Sequence, residues 1–362
     1  MIPSFEQTED HLHSILARGS VNLGEGANTE RLMLMLTRSC HLRCGYCWVQ
    51  KTETGSVMKP ELASKSVDWL MRSKREKLEI QFFGGEPTSE WDTLLHTLHY
   101  ARHHPMRQGR RLEFVLTTNG LGLQGDRLDK LTSPDLLILF SLDGTEQAHR
   151  RFRPPHIGED AGESLSHDAA WSRLNQAIDS LNGSGVRWFM NAVIPPADAD
   201  GVMARYEWAL DNGIPALQLN YAVGMEWPQH KVDAYLMGLI KVMQRHRREE
   251  PEMMLYNWRS ECEPVMLSDD LIVDVDGTVL HDGAIFLERG FPELRSTYMR
   301  GPLHTLDDFD SCRWSLEQLN NVMCQTYEVG SQKHQTVLQN IRMGAAVDWV
   351  IQALRTPGDR EI

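Results

Sequence analysis

Between residues 31 and 246 the chain alternates two hydrophobic patterns. Near-continuous apolar runs occupy 32–37, 78–83, 112–118, 136–142, 186–194 and 216–222. Longer stretches with apolar positions three and four apart lie near 60–73, 91–103, 125–131, 168–181 and 201–212, and 232–247 follows the last run. The short runs predict strands covered on both faces, and the longer ones predict amphipathic helices. Strand-then-helix repetition predicts an α/β fold with a parallel sheet, which fits an incomplete β/α barrel as well as an open sheet. In barrels the working face lies at the C-terminal strand ends. Before this region, 5–16 has a helical pattern followed by a glycine-bearing linker. After it the rhythm changes: 271–280 predicts two strands around an Asp276-Gly277 turn, and 332–355 a closing helix. The expected division is a lead-in at 1–30, the main β/α unit at 31–247 and a small α+β tail domain at 248–362.

With 362 residues, 41% of them hydrophobic, the chain can bury a large core, while its formal charge of −13 argues against broad nucleic-acid binding. No apolar run approaches the roughly 18 residues that would suggest a membrane span. The acidic N-terminus does not resemble a secretory signal. Six cysteines are too sparse for a disulfide scaffold, so clustered thiols are expected to bind metal or act in catalysis in a cytoplasmic protein.

Three of those cysteines, Cys40, Cys44 and Cys47, follow the first strand at spacings of four and three. One short loop can thus wrap three thiolates around one inorganic centre, with a fourth corner left open. Spacing alone leaves iron–sulfur and zinc chemistry equally open. Context narrows the choice. Phe83-Gly84-Gly85-Glu86-Pro87-Thr88 ends the second strand, Thr117-Thr118-Asn119-Gly120 the third, and Ser141-Leu142-Asp143-Gly144 the fourth. These motifs, in this order over about residues 31–225, resemble the radical S-adenosylmethionine (SAM) enzymes. That family's signature is CxxxCxxC with an aromatic residue, here Tyr46, before the last cysteine, followed by a GGEP motif.

The resemblance implies a partial (β/α)6 barrel and a 4Fe–4S cluster on Cys40, Cys44 and Cys47, with S-adenosylmethionine on the open iron. Gly84 and Gly85 would let backbone approach the ligand. Their carbonyls and Glu86, in the turn closed by Pro87, would accept from its ammonium. Tyr46, Asn119, Ser141 and Asp143 would line the ligand, and Arg153 would pair with its carboxylate. Arg150 and Arg151 are read as solvated charges. Asn191 and Gln218, polar residues within apolar strands, would line the barrel or satisfy internal hydrogen bonds. Trp188, Trp208, Trp227 and Trp258 are assigned to core or rim packing, and Arg107, Arg110 and Arg111 to a basic turn at the opposite end.

Members with SPASM or twitch tails bind auxiliary clusters there. The tail cysteines are Cys262, Cys312 and Cys324, and His281 stands where the tail pattern has a cysteine. Two auxiliary clusters are excluded by the count. One cluster on these residues, a relic with inert thiols, and zinc all remain open. The implied function is reductive cleavage of S-adenosylmethionine to a 5′-deoxyadenosyl radical that takes hydrogen from a peptide or protein side chain. A flavodoxin- or ferredoxin-type donor would supply the electron. The alternatives are a dehydrogenase or mutase acting on a small molecule, and a non-catalytic zinc or iron–sulfur regulatory module. Sulfatase maturation is disfavoured, because those relatives carry more cysteines.

Overall fold

A computed structural model describes residues 2–18, 29–51, 56–123, 125–156, 165–259 and 266–355. Six strands pair in chain order, each parallel to the next: β1 (Thr29–Thr37), β2 (Lys77–Gly84), β3 (Arg111–Thr118), β4 (Leu136–Ser141), β5 (Arg187–Ile194) and β6 (Ala216–Tyr221). Helix α1 (Phe5–Arg18) precedes them. The connections carry α2 (Pro60–Leu70), α3 (Trp91–Arg102), α4 (Arg127–Leu131), α5 (Glu146–Phe152), α6 (His167–Ser184) and α7 (Val202–Asp211), and α8 (Gln229–Glu249) follows β6. Every predicted strand is present, with starts displaced by up to three residues.

The two-residue β7 (Met254–Leu255) extends the sheet beyond β6. On the other flank β8 (Leu271–Val273) pairs parallel to β1, and β9 (Thr278–His281) and β10 (Met299–Pro302) follow antiparallel. The order is therefore β10-β9-β8-β1-β2-β3-β4-β5-β6-β7, a curved sheet whose ends do not meet. The predicted hairpin forms, and it continues the main sheet. Beyond it lie α9 (Gly283–Phe286), α10 (Glu293–Thr297), α11 (Leu316–Thr326) and α12 (Gln332–Leu354). No helix among the described residues is long and apolar enough to cross a membrane.

Strand β1 explains why its sequence is apolar at successive positions. Leu32, Leu34 and Leu36 face one apolar cluster, packed among the barrel helices. Met33 and Met35 face a second, built with α1, α9, α11, α12 and the hairpin. Alternate side chains of a strand point to opposite faces, so a wall shared by two cores is apolar throughout. Trp188, Trp227 and Trp258 are buried in the first cluster and Trp208 packs against it. In the basic turn, Arg110 donates to the carbonyls of Met71, Ser73 and Met106, and Arg111 pairs with Glu113.

On β2 to β5 the half-buried positions alternate with buried ones, and they form the concave inner wall. Gln81, Phe83, Thr117, Leu139, Ser141, Asn191 and Val193 all open onto one cavity. Period two thus places the functional side chains on the inside, and the loops at the strand ends close over them.

Candidate active site at the C-terminal strand ends

The cavity has a volume of about 390 Å³, within the range of small-molecule sites. Cys40, Cys44 and Cys47 line it together with Tyr46, Gly84, Gly85, Glu86, Asn119, Ser141, Arg153 and Asn191. Most of the residues named from sequence are thus gathered at one place.

The cysteine loop is held at both flanks by backbone. On one side the Gly85 N–H donates to Thr37 at 2.7 Å and the Glu86 N–H to Ser39 at 2.8 Å. A Cβ on Gly84, whose φ is +147°, would lie 2.4 Å from the Thr37 carbonyl oxygen, and one on Gly85 2.0 Å from that of Ser39. The double glycine is therefore required by the approach of β2 to the cysteine loop, a reason independent of any ligand. On the other side the Arg43 N–H donates to Pro154 at 2.8 Å and the Gly45 N–H to Phe152 at 2.9 Å, docking the loop on the end of α5.

Glu86 is fully buried and joins three strand ends. Its carboxylate accepts from the Thr88 N–H and hydroxyl, from the Thr118 hydroxyl at 2.7 Å and from the Asn119 N–H at 2.8 Å. Asn119 turns its amide nitrogen to within 3.7 Å of the Cys40 sulfur. Pro87 is buried at the start of the following turn and is not among the lining residues.

Asp143 also lies behind the wall, fully buried. The Tyr46 hydroxyl donates to it at 2.7 Å, Arg153 Nε at 2.9 Å and the Val193 N–H at 3.3 Å. The Arg153 guanidinium carbon lies 5.3 Å from the centre of the Tyr46 ring, so Asp143 orients two lining side chains at once. Burial lowers the Arg153 affinity for its proton, but Asp143, Tyr46 and Cys44 more than offset this and keep it charged. Burial and the Asp143 charge hold the Tyr46 phenol well above its usual range.

Gln218 is Cα-paired with Asn191 but stays one level below the lining. Asn220, two residues along the same strand face, reaches the cavity and donates to the Asn191 side chain at 2.8 Å. Period two could have indicated Asn220 as readily as Gln218. Lys51 was also missed. It lines the cavity and donates to the Leu42 carbonyl at 2.8 Å; burial disfavours its charge, and the three cysteines, as thiolates, raise its pKa. Its position four residues after Cys47 was the available signal. Phe286 of α9 packs edge-on against Phe83, centroids 4.8 Å apart, and brings the tail to the cavity. Nothing local in the sequence foreshadows it.

The thiols fit a cluster. Burial pushes Cys40 above its usual value and Cys44 up to about 12, while Lys51 opposes both shifts and Arg153 also opposes that of Cys44. Empty, such a site favours neutral thiols. Iron would take them as thiolates, with two cations already in place to balance the charge. Among the described residues no three Cys, His, Asp or Glu side chains gather tightly enough for a single ion. The three cysteines line one cavity.

In the tail, Cys312 is buried in the first apolar cluster with its thiol 3.4 Å from the Asp308 carbonyl. Cys324 packs against the second cluster, its thiol 3.8 Å from the Asn320 side-chain oxygen. His281 is fully buried between Tyr298 and Trp314, and burial drives its pKa down to about 3. Cys262 lies outside the described residues.

Residues 34–166 match the Radical SAM superfamily. The chain carries a radical SAM domain. Radical SAM proteins use a 4Fe–4S cluster and S-adenosylmethionine, and the cavity's thiols, cations and glycine turn suit both. The chain is 24% identical over 141 residues to the radical SAM cyclopropyl synthase TigE of Paramaledivibacter caminithermalis, covering 34% of this chain and 29% of that protein. It is 24% identical over 173 residues to the serine-type anaerobic sulfatase-maturating enzyme of Bacteroides thetaiotaomicron, covering 44% and 38%. The chain thus spans well under half the length of these curated relatives. Among solved structures, native anSMEcpe with bound AdoMet and Kp18Cys peptide superposes with a TM-score of 0.69 at 14% identity, over 90% of this chain and 99% of that one. Streptococcus suis SuiB bound to S-adenosylmethionine gives 0.50 at 14% identity, over 69% and 59%. At such identities the fold is what is shared.

Proposed function

We propose that this radical SAM chain is an enzyme that takes hydrogen from a peptide or protein side chain. One observation carries the reading: Cys40, Cys44 and Cys47 open onto the same cavity as Gly84, Gly85, Glu86 and Arg153. Cys40, Cys44 and Cys47 would hold three irons of a 4Fe–4S cluster. When bound, the cluster and S-adenosylmethionine supply a 5′-deoxyadenosyl radical, able to take hydrogen from an unactivated carbon. The chain's own residues seat and shield. Arg153, fixed through Nε by Asp143, would present its guanidinium to a carboxylate. Glu86, Ser141, Asn119 and Asn191 supply polar groups for the rest of the ligand, and Leu139, Val193, Phe83 and Phe286 exclude water from the substrate end.

Support for a peptide substrate comes from relatives. One matures sulfatases, anSMEcpe has been solved with the Kp18Cys peptide, and SuiB has been solved bound to the precursor peptide SuiA. A flavodoxin- or ferredoxin-type donor would supply the electron. Anaerobic reconstitution with iron and sulfide is expected to give a brown protein that forms 5′-deoxyadenosine from S-adenosylmethionine under dithionite. A colourless protein with stoichiometric zinc overturns the reading. Transfer of deuterium from a labelled candidate peptide into 5′-deoxyadenosine tests the substrate class. Label arriving only from a small molecule would reject the peptide assignment.

A further inference from the structure

Three buried charges, Arg38, Asp274 and Glu288, and the half-buried Arg295 tie the tail to the cysteine loop. Arg38, at the end of β1 and two residues before Cys40, donates to both carboxylate oxygens of Asp274 at 3.2 and 2.7 Å and to Glu288 at 2.7 Å. It also donates to the Gln50 carbonyl at 3.0 Å. Arg295 completes the set, donating to Asp274 at 2.7 Å and Glu288 at 3.3 Å. Glu288 in turn accepts from the Gln50 N–H at 3.2 Å. Asp274 and Glu288 are 1% and 6% exposed and Arg38 7%. Two guanidinium groups thus face two buried carboxylates, with the exposed Asp276 3.7 Å from Arg295, and removing either buried carboxylate costs Arg38 an ionic partner inside the fold.

Gln50 lies three residues beyond Cys47, so one network grips the chain before the first cysteine and after the last. The tail adds two more contacts. The Arg289 N–H donates to the Trp48 carbonyl at 2.7 Å and its guanidinium to the Cys47 carbonyl at 3.2 Å. The Trp48 indole lies close against Gly224 and Gly290, where a Cβ would come within 2.7 and 3.2 Å of it, and its N–H donates to the Val223 carbonyl at 2.9 Å.

We propose that Arg38, Asp274, Glu288 and Arg295 are positioning residues that hold the cysteine loop in its cluster-binding shape before any iron arrives. Three thiols on a free loop would have to be ordered during assembly, at a cost in chain entropy. Here the tail orders them on folding. The physical reason to place this support in a buried ion network is that it allows few alternative geometries.

The decisive experiment uses the metal-free full chain, and only its second arm rests on the cluster reading. Glu288→Gln keeps the shape while removing the charge that faces Arg38 and Arg295. Hydrogen exchange across 39–51 is expected to rise on the order of tenfold, with β3 to β6 unchanged. Unchanged exchange in 39–51 overturns the proposal. So does an equal rise across β3 to β6, which would mark an ordinary stability contribution. If Glu288→Gln does not fold, Arg295→Gln at the half-buried member of the network is read instead. A rise of roughly threefold in 39–51 with β3 to β6 unchanged is expected, and none overturns the proposal.

In the second arm, iron release to a chelator from reconstituted protein is expected to be about tenfold faster in Glu288→Gln and partly restored in Glu288→Asp. Release at the parental rate overturns the proposal. A parent that takes up no iron refutes the cluster reading, while the exchange arm still decides the positioning role.

Discussion

The chain's two sets of cysteines differ in what surrounds them. Cys40, Cys44 and Cys47 share one loop and one cavity, with Lys51 close enough to offset part of the burial that disfavours the Cys40 and Cys44 thiolates, and Arg153 adding to this at Cys44. Cys312 and Cys324 sit against different apolar clusters, and each thiol points to an oxygen four residues back in its own segment. Burial raises all four thiols for which a shift is resolved. The front set lines a shared void. A thiol becomes a ligand through the company it keeps, and burial by itself makes it a small apolar side chain.

The sharpest way to break that contrast is the triple substitution Cys40/Cys44/Cys47→Ala. Iron uptake and 5′-deoxyadenosine formation should both vanish, and an iron count on this variant should return essentially none. About four irons retained would mean that the tail holds a cluster of its own. Next comes Asp143→Asn, which releases Arg153 and Tyr46 without emptying the site. S-adenosylmethionine affinity measured by calorimetry should fall roughly ten- to a hundredfold, as for loss of a buried charge partner. Unchanged affinity would place the carboxylate contact elsewhere in the cavity.

A smaller effect separates front and tail by pH. His149, in α5, and His281, in the tail, are both buried, and burial lowers their pKa values to about 4 and about 3. Below the ordinary value of 6.5 the unfolded chain takes protons that the folded chain refuses. Stability should therefore fall as the pH drops from about 6.5, by up to roughly 1.4 kcal/mol per pH unit for each histidine. His281→Leu should flatten the acid limb of a thermal-melt series. An unaltered slope would show that the ring has a proton acceptor in solution. The smallest effect is assigned to Cys324→Ser, which should leave iron content unchanged and cost at most about 1 kcal/mol in denaturant unfolding. Any loss of iron would return this residue to the ligand candidates.

Legibility in the sequence followed distance along the chain. The six strands were visible because each is a short, nearly continuous apolar run. The cysteine loop and the glycine turn were visible because each is a short run of distinctive residues at a strand end. Helix α11 had a readable start, a capping box of Ser315 and Gln318, that was passed over. Asp143 shows the limit of a motif. Its place in the sequence located it near the ligand, whereas the fold buries it behind Tyr46 and Arg153.

The sequence by itself determined the β/α order, the strand ends that carry the chemistry and the spacing of three thiols, since each depends on local periodicity or on one loop. Tertiary structure alone decided that Asp274 and Glu288, 236 and 250 residues after Arg38, would grip the cysteine loop, and that Phe286 would face Phe83. The physical reason is that such pairings arise from which surfaces the two apolar clusters press together. A side chain's neighbours across that seam leave no periodic trace in the chain that carries it.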